Sequence, residues 1–285
     1  MIYWKDILID TVSDAIRMLP FLFIAFLLIE GLERFSGDKM ERLLRRLRKA
    51  GPLIGAALGL VPQCGFSVMA ANLYAGGILS AGTLIAVFLS TSDEAILIML
   101  ANPGREKSIL ALLAVKFVIG VIGGYFVDFF LARFIAVKKE SGVLCTDCGC
   151  EEETGILKPA LKHTLKTFCY LFIVILILNA AVGFFGIDKV ESAFLGNSFF
   201  QPVLSGLVGL IPNCGASVIL TSLYLNKILS FGAVISGLSA GSGVGFLALF
   251  RVNKNTKENL KLLLCMYMIA VISGIICDII VSIAG

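Results

Sequence analysis

The sequence contains no phosphate-binding loop of the pattern G-x-x-x-x-G-K-[ST]. A process driven by ATP would therefore need a partner that binds the nucleotide. Residues 1–17 carry charges and lack a short apolar core followed by a cleavage site, so we expect no signal peptide. Histidine occurs only once, at His163. With these features absent, the chain is characterised mainly by its apolar residues.

Apolar residues make up 58% of the chain and its mean hydropathy is +0.95, whereas soluble domains contain about 45–50%. Apolar stretches approaching the length of a membrane span recur along the chain, at 16–29, 84–100, 109–137, 165–185 and 262–284. A soluble core of this size would not need them. We predict an all-α polytopic protein of the cytoplasmic membrane, embedded in the lipid bilayer and without a nucleic-acid partner.

One stretch of the sequence occurs twice at an offset of 150 residues, as Gly59–Val68 and Gly209–Val218. Each copy places proline, an amide, cysteine, glycine and serine in the same order within an apolar region. The match continues on both sides, as far as Asp128 and Asp278. The chain is a tandem duplication, which we divide into a first transmembrane repeat (1–137), a connector (138–164) and a second repeat (165–285).

The loops that follow the first span of each repeat differ in charge. Residues 34–49 contain seven Lys or Arg against two acids, whereas residues 184–199 contain one Lys against two acids. The positive-inside rule places the first loop in the cytoplasm, and the second suits the outer face. We therefore predict an inverted-topology repeat, with a cytoplasmic connector and both termini outside. Parallel repeats with four crossings each are the alternative, but they would put both loops on one side.

Residues 51–61 and 66–76 are each too short to cross a hydrocarbon core of about 30 Å. We interpret them as the two arms of a re-entrant hairpin, which gives five segments in each repeat. The break falls at Pro62 and Gly65, and in the second copy at Pro212 and Gly215. Proline cannot donate a helical hydrogen bond, and glycine permits unusual dihedral angles.

If the repeat is inverted, the two hairpin tips can meet near the middle of the membrane. Thiolates suit soft cations and thiophilic metalloids, while amide and hydroxyl oxygens suit harder ions. The alternative is that each tip is a packed kink with a small buried cysteine. We predict a substrate site formed by six residues: Cys64, Cys214, Gln63, Asn213, Ser67 and Ser217.

Asp93 and Glu94 lie within a predicted span, and their counterparts in the second repeat are uncharged. Carboxylates at this depth are costly and usually face the interior or an aqueous pathway. We predict that they bind a cation or carry a coupling proton. The alternative is an ion pair with Lys116 or Arg105. For the equivalent Asp128 and Asp278, the sequence leaves open interfacial capping, a structural pair and an access-path role.

The connector contains Cys145, Cys148 and Cys150. In the cytoplasm thiols stay reduced, and this spacing is typical of metal binding. A tetrahedral zinc site needs a fourth ligand, which His163 or an acid among residues 151–153 could supply. A solvated linker is the alternative.

Four stretches resemble a known family: Pro62–Ser67, Ser90–Ala95, Pro212–Ser217 and Gly241–Phe246. They are similar to those of the ten-helix heavy-metal exporters of prokaryotes, labelled arsenic-efflux-type permeases or manganese transporters. The likeness covers nearly the whole chain. It implies a ten-helix membrane transporter that exports a metal or metalloid, and the outward direction is implied by the resemblance alone.

The resulting hypothesis is a secondary active exporter that works by alternating access and is coupled to an ion or proton. A thiophilic species such as arsenite ranks above Mn²⁺, which could use the same site. An intramembrane thiol oxidoreductase acting through Cys64 and Cys214 and a passive channel are the alternatives. We otherwise expect no enzymatic activity and no cofactor, and the protein can form homo-oligomers.

Overall fold

The computed structural model describes residues 50–61, 64–92, 95–100, 106–131, 157–185, 200–212 and 214–284, with further helical positions between residues 11 and 27. Every regular element among these residues is helical. Three of the described segments are long and apolar enough to cross a membrane: Ser108–Phe130, Phe231–Val252 and Thr256–Ile283. The predicted all-α polytopic membrane protein is confirmed.

The first repeat contains five described helices after residue 49. They are α1 (Ala50–Gly59), α2 (Cys64–Ala75), α3 (Ala81–Ser90), α4 (Ala95–Leu100) and α5 (Glu106–Phe126), the last extended by a π-helical turn at Val127–Leu131. The next helix, α6 (Leu157–Phe185), begins inside the segment predicted as connector.

The second repeat has the same pattern of helices. Its members are α7 (Gln201–Gly209), α8 (Cys214–Leu225), α9 (Phe231–Ala240), α10 (Gly245–Val252) and α11 (Thr256–Ala284). When 150 is subtracted, the bounds of α8 and α9 coincide with those of α2 and α3. The duplication seen in the sequence is therefore also present in the positions of the helices.

Close glycine contacts show that α1 and α3 run side by side in the same direction. A Cβ on Gly51 would lie 2.1 Å from Thr83 Oγ1, and one on Gly59 would lie 2.1 Å from Ser90 Oγ. Because α1 and α3 are parallel, α2 must carry the chain back between them. We call α1 and α2 the first hairpin, and their equivalents α7 and α8 the second hairpin.

An aspartate from the last helix of each repeat caps the N-terminus of α3 or α9. Asp128 Oδ2 accepts a hydrogen bond from Ser80 Oγ at 2.7 Å, and its Oδ1 accepts one from the Gly82 amide at 2.7 Å. Asp278 makes the same two bonds, also at 2.7 Å, in the second repeat. A carboxylate suits the partial positive charge of a helix N-terminus. Of the roles left open for these aspartates, the structure shows capping.

The helices α3 and α9 lie in the interior, whereas α5 and α11 are peripheral. In an apolar 18-residue stretch of the span that comprises α9 and α10, 89% of the residues are buried, against 22% in the corresponding stretch of α11. The exposed face of α11 consists of large apolar side chains spaced four residues apart, including Leu260, Leu264, Met268, Ile272 and Ile276. A stripe of this kind is suited to contact with lipid.

The first hairpin also packs against the second repeat. A Cβ on Gly245, the first residue of α10, would lie 2.7 Å from Ser67 Cβ. Tyr74 lies near the end of α2, close to the turn at Ser80 that Asp128 caps, and it donates a hydrogen bond to Glu258. Glu258 lies in the first turn of α11, at the end of the second repeat that is opposite to the capped turn at Ser230. The contact therefore joins opposite ends of the two repeats.

Candidate functional site

Both interior helices are interrupted midway, which defines two breaks. In the first break α3 ends at Ser90 and α4 begins at Ala95; in the second, α9 ends at Ala240 and α10 begins at Gly245. These interruptions were not predicted from the sequence. The signal was present, because hydroxyl residues in the first case and glycines in the second interrupt an otherwise apolar run.

The described residues of each break are enclosed by protein. Thr91 is 2% exposed, and Ser242 of the second break is equally buried. At the first break, Thr91 Oγ1 bonds back to the Val87 carbonyl at 2.7 Å. At the second, Gly243 has a φ of +53°, a backbone conformation that favours glycine. Irregular backbone at membrane depth is tolerated where protein or a polar cavity surrounds it.

A single buried lysine links the two breaks. The Lys116 side chain, on α5, is 0% exposed. Its Nζ donates to the Thr91 carbonyl at 2.5 Å and to the Leu238 carbonyl at 2.7 Å. Both carbonyls lie at the C-terminal ends of interrupted helices, where the backbone dipoles favour a cation. Lys116 was considered in the sequence only as a partner for Asp93 or Glu94. It is the only lysine or arginine in the span Ser108–Phe130, and its equivalent is Met266.

The structure brings one predicted site residue directly to this region. Ser67, on α2, is fully buried, and its hydroxyl is 3.0 Å from Thr91 Oγ1. Its close approach to Gly245 places it between the first break and the start of α10. Ser217, the equivalent residue on α8, is 8% exposed, and α8 packs against α4. The first hairpin thus contacts α10 and the second hairpin contacts α4, so each hairpin meets the helix that follows the break in the other repeat.

Several buried hydroxyl groups have no hydrogen-bond partner among the described residues. They belong to the second repeat: Ser205, Thr221, Ser239 and Ser242. The first-repeat equivalents of the first three are Gly55, Ala71 and Leu89, which carry no hydroxyl. Because buried polar groups are nearly always satisfied, these hydroxyls indicate positions where water or a solute would bind.

The remaining predicted site residues lie partly or wholly outside the described residues. This applies to Asp93 and Glu94, to Gln63 and Asn213, and to the connector cysteines Cys145, Cys148 and Cys150. For Cys64 and Cys214 the structure gives the position in the chain, as the first residue of α2 and of α8. Of the predicted helix-break residues, Pro62 is undescribed; Gly65 is buried, while Pro212 and Gly215 are half-buried.

No group of three or more histidine, cysteine, aspartate or glutamate side chains that could hold a metal ion occurs within the described ranges. Within those ranges the polar contacts at the breaks are made by hydroxyl groups, backbone carbonyls and one ammonium group. The proposed carboxylate ligands come from positions that the structure does not describe, and for the hairpin cysteines it gives only the place in the chain. The two sets are adjacent in the chain, because Asp93 and Glu94 follow Ser92 directly.

The interior helices of this polytopic membrane protein are interrupted, and a charged side chain is buried at the breaks. Membrane transporters share these features. A family model described as "Putative, 10TM heavy-metal exporter" matches residues 4–198 and 186–284. The chain belongs to this family. No curated protein and no solved structure matches the chain.

Proposed function

We propose that the protein is a secondary active transporter that exports a heavy metal or metalloid across the cytoplasmic membrane by alternating access. The observation that carries this proposal is the bridge formed by Lys116. One buried ammonium group binds backbone carbonyls at the breaks of both repeats. A solute that changes the position of one break would therefore act on the other repeat, as alternating access about a repeat interface requires.

The contact between Tyr74 and Glu258 supports an inverted repeat. If the repeats were parallel, the capped end of one would face the capped end of the other. The hydrogen bond instead joins the capped end of the first repeat to the opposite end of the second. The charges of loops 34–49 and 184–199 favour the same arrangement. The connector would then be cytoplasmic and both termini would lie outside.

For the substrate we favour a thiophilic species resembling arsenite, bound by Cys64 and Cys214 at the hairpin tips. Ser67 follows Cys64 by about one helical turn, and its hydroxyl contacts Thr91 at the first break. A substrate held at the first tip would thus lie close to the break that contains Asp93 and Glu94. These carboxylates are suited to carrying the coupling ion or proton.

Manganese is the second candidate, and the composition of the first break favours it. Carboxylate, hydroxyl and carbonyl oxygens are ligands that Mn²⁺ accepts. Asp93 and Glu94 adjoin Ser92 in the sequence, and the hydroxyls of Ser67 and Thr91 lie 3.0 Å apart. In this case the cysteines would pack the tips and the carboxylates would bind the metal.

Accumulation in inside-out membrane vesicles separates the two candidates. Arsenite and Mn²⁺ would be offered separately to wild type, Cys64→Ser/Cys214→Ser and Asp93→Asn. The exposed Cys169 on α6 provides the matched control, Cys169→Ser. Arsenite uptake that is lost in the double cysteine variant but retained in Cys169→Ser supports the thiol site. Mn²⁺ uptake that survives in that variant but is lost in Asp93→Asn supports the carboxylate site. If wild type accumulates neither ion, the proposed substrates are wrong.

A further inference from the structure

The carbonyl groups around Lys116 form the kind of site that binds a small cation. Thr91 follows the last residue of α3, and Leu238 lies in the last turn of α9. Carbonyls at such ends lack intrahelical partners and carry partial negative charge. In membrane transporters with interrupted helices, unwound carbonyls and half-helix C-termini coordinate coupling cations. Here the ammonium nitrogen of Lys116 lies 2.5 and 2.7 Å from the two oxygens.

Further oxygen atoms lie close to this position in the chain. Ser239 adjoins Leu238, and Ser242 follows about one helical turn later. Ser242 itself is not helical but lies in the second break, four residues after Leu238. Both hydroxyls are buried and have no hydrogen-bond partner among the described residues. The equivalent of Lys116 in the second repeat is Met266, which is also fully buried. The ammonium group therefore belongs to one repeat only, although it binds carbonyls from both.

We propose that Lys116 is a resident cation in a carbonyl-lined cation site, and that the site binds an exchangeable monovalent cation once the side chain is removed. The ligands are small alkali cations and primary alkylammonium ions. This inference builds on the proposed transport function, because it assigns the region between the breaks to cation binding. In wild type the site is filled by the protein itself, so transport does not depend on Na⁺ or K⁺ at this position.

The size of the side chain leads to a specific test. Truncation in Lys116→Ala removes three methylene groups and the ammonium group, which together correspond to propylammonium. Lys116→Met removes the charge but fills most of the volume, as the native Met266 does. Met266→Ala also truncates a buried long side chain, at the equivalent position of the second repeat, but it removes no charge. Binding of a cation to the vacated site should therefore occur in Lys116→Ala alone.

Thermal unfolding of the purified full chain in detergent measures this binding without requiring transport. Each variant would be heated in choline chloride, in NaCl and with added propylammonium chloride at constant ionic strength. A ligand that binds only the native state raises the Tm in a saturable manner. We expect a saturable rise in Tm with Na⁺ or propylammonium for Lys116→Ala, and no rise relative to choline for wild type, Lys116→Met or Met266→Ala. An absent response in Lys116→Ala, or an equal response in Met266→Ala, would overturn the proposal.

Two further measurements keep the test decisive if Lys116→Ala does not fold alone. The variant can be produced with propylammonium in the medium, and a yield of folded protein restored by this ion but not by choline supports the site. Lys116→Arg keeps a cation, so it should retain more folded protein and a higher Tm than Lys116→Met; equal behaviour would contradict the proposal. If wild type transports no metal while these responses are seen, the proposed function fails and the cation site stands.

Discussion

The two repeats share one scaffold but differ at the breaks. Ser80 and Asp128 cap α3 with the same bonds and distances as those that Ser230 and Asp278 form at α9. At the breaks, however, Thr91-Ser-Asp-Glu94 in the first repeat corresponds to Gly241-Ser-Gly-Val244 in the second. The first repeat provides the carboxylates and, through Lys116, the ammonium group. The second provides glycines and buried hydroxyls.

Under the proposed function, this contrast separates residues that build the fold from residues that would act on a solute. Several positions at which two helices approach closely are glycine in both copies, such as Gly82 and Gly232. The charged residues Asp93, Glu94 and Lys116 have uncharged equivalents. Substitution of a residue that both copies share should therefore lower stability to a similar extent in the two repeats. Substitution of a charged residue that occurs in one copy only should instead lower transport.

The largest effect is expected where helices touch through glycine. A Cβ at Gly82 would lie 2.1 Å from the Gly124 carbonyl oxygen, and one at Gly232 would lie 2.0 Å from that of Gly274. We expect Gly82→Ala and Gly232→Ala each to destabilise the protein by about 3 kcal/mol or more, measured as the yield and Tm of monodisperse protein. Gly77→Ala is the control, because its Cβ would meet nothing within 4 Å and only its φ of +73° opposes the change. Wild-type stability in Gly82→Ala or in Gly232→Ala would contradict the symmetric packing.

The next effect concerns a residue that differs between the repeats. Lys116→Met gives the first repeat the residue of the second and leaves two buried carbonyls without their charged donor. An unsatisfied buried group costs about 1–3 kcal/mol, and about 1.4 kcal/mol corresponds to a factor of ten. Because the bridge holds the two breaks together in the proposed mechanism, we expect metal accumulation in inside-out vesicles to fall by about tenfold or more. Met266→Leu is a volume-conserving control that should transport at the wild-type rate. Equal transport by Lys116→Met and wild type would show that the bridge has no part in transport.

Removal of a cap should have a smaller effect that is the same in both repeats. Asp128→Ala and Asp278→Ala each delete two hydrogen bonds at a helix N-terminus. We expect each to lower the free energy of unfolding by about 1–2 kcal/mol, and the double variant to show roughly the sum. A change confined to one aspartate, or a loss of transport without a loss of stability, would indicate a role beyond capping.

The smallest effect is expected for a hydroxyl without a partner. Ser239→Ala removes such a group, so we expect a stability change within about 0.5 kcal/mol. The matched control on the same helix is Ser236→Ala, because Ser236 Oγ donates to the Pro202 carbonyl at 2.7 Å; its loss should cost about 1 kcal/mol. Thermal unfolding compares the two variants. A large loss in Ser239→Ala would mean that its hydroxyl is already bonded, for example to buried water.

The sequence alone predicted the duplication and the hairpin arms well. Arms expected at 51–61 and 66–76 correspond to helices at 50–59 and 64–75, because proline and glycine are strong helix breakers and each arm is too short to cross a bilayer. The interior breaks were missed, since serine, threonine and isolated glycines are tolerated within apolar helices. Whether such residues interrupt the helix depends on tertiary contacts, such as those of Ser67 with Thr91 and Gly245.

Lys116 shows why part of the candidate site could not be derived from sequence. Lys116 donates to two backbone carbonyls, and a carbonyl has no signature in the amino-acid sequence. From the sequence, an ion pair with Asp93 or Glu94 was therefore the role considered for it. The replacement of lysine by methionine between the repeats was the available signal. For Cys64, Cys214, Asp93 and Glu94, the roles assigned from residue chemistry stay proposals.

The proposed function requires that the two repeats lie in opposite orientations, with their breaks meeting around Lys116. Gly77 and Lys227 test it directly, because they are equivalent, exposed turn residues with φ values of +73° and +60°. Single cysteines would replace each in a background without the native cysteines, and intact cells would be treated with a membrane-impermeant maleimide. We predict labelling at position 227 from outside and labelling at position 77 only after the cells are opened. Labelling of both positions from the same side would contradict the inverted arrangement.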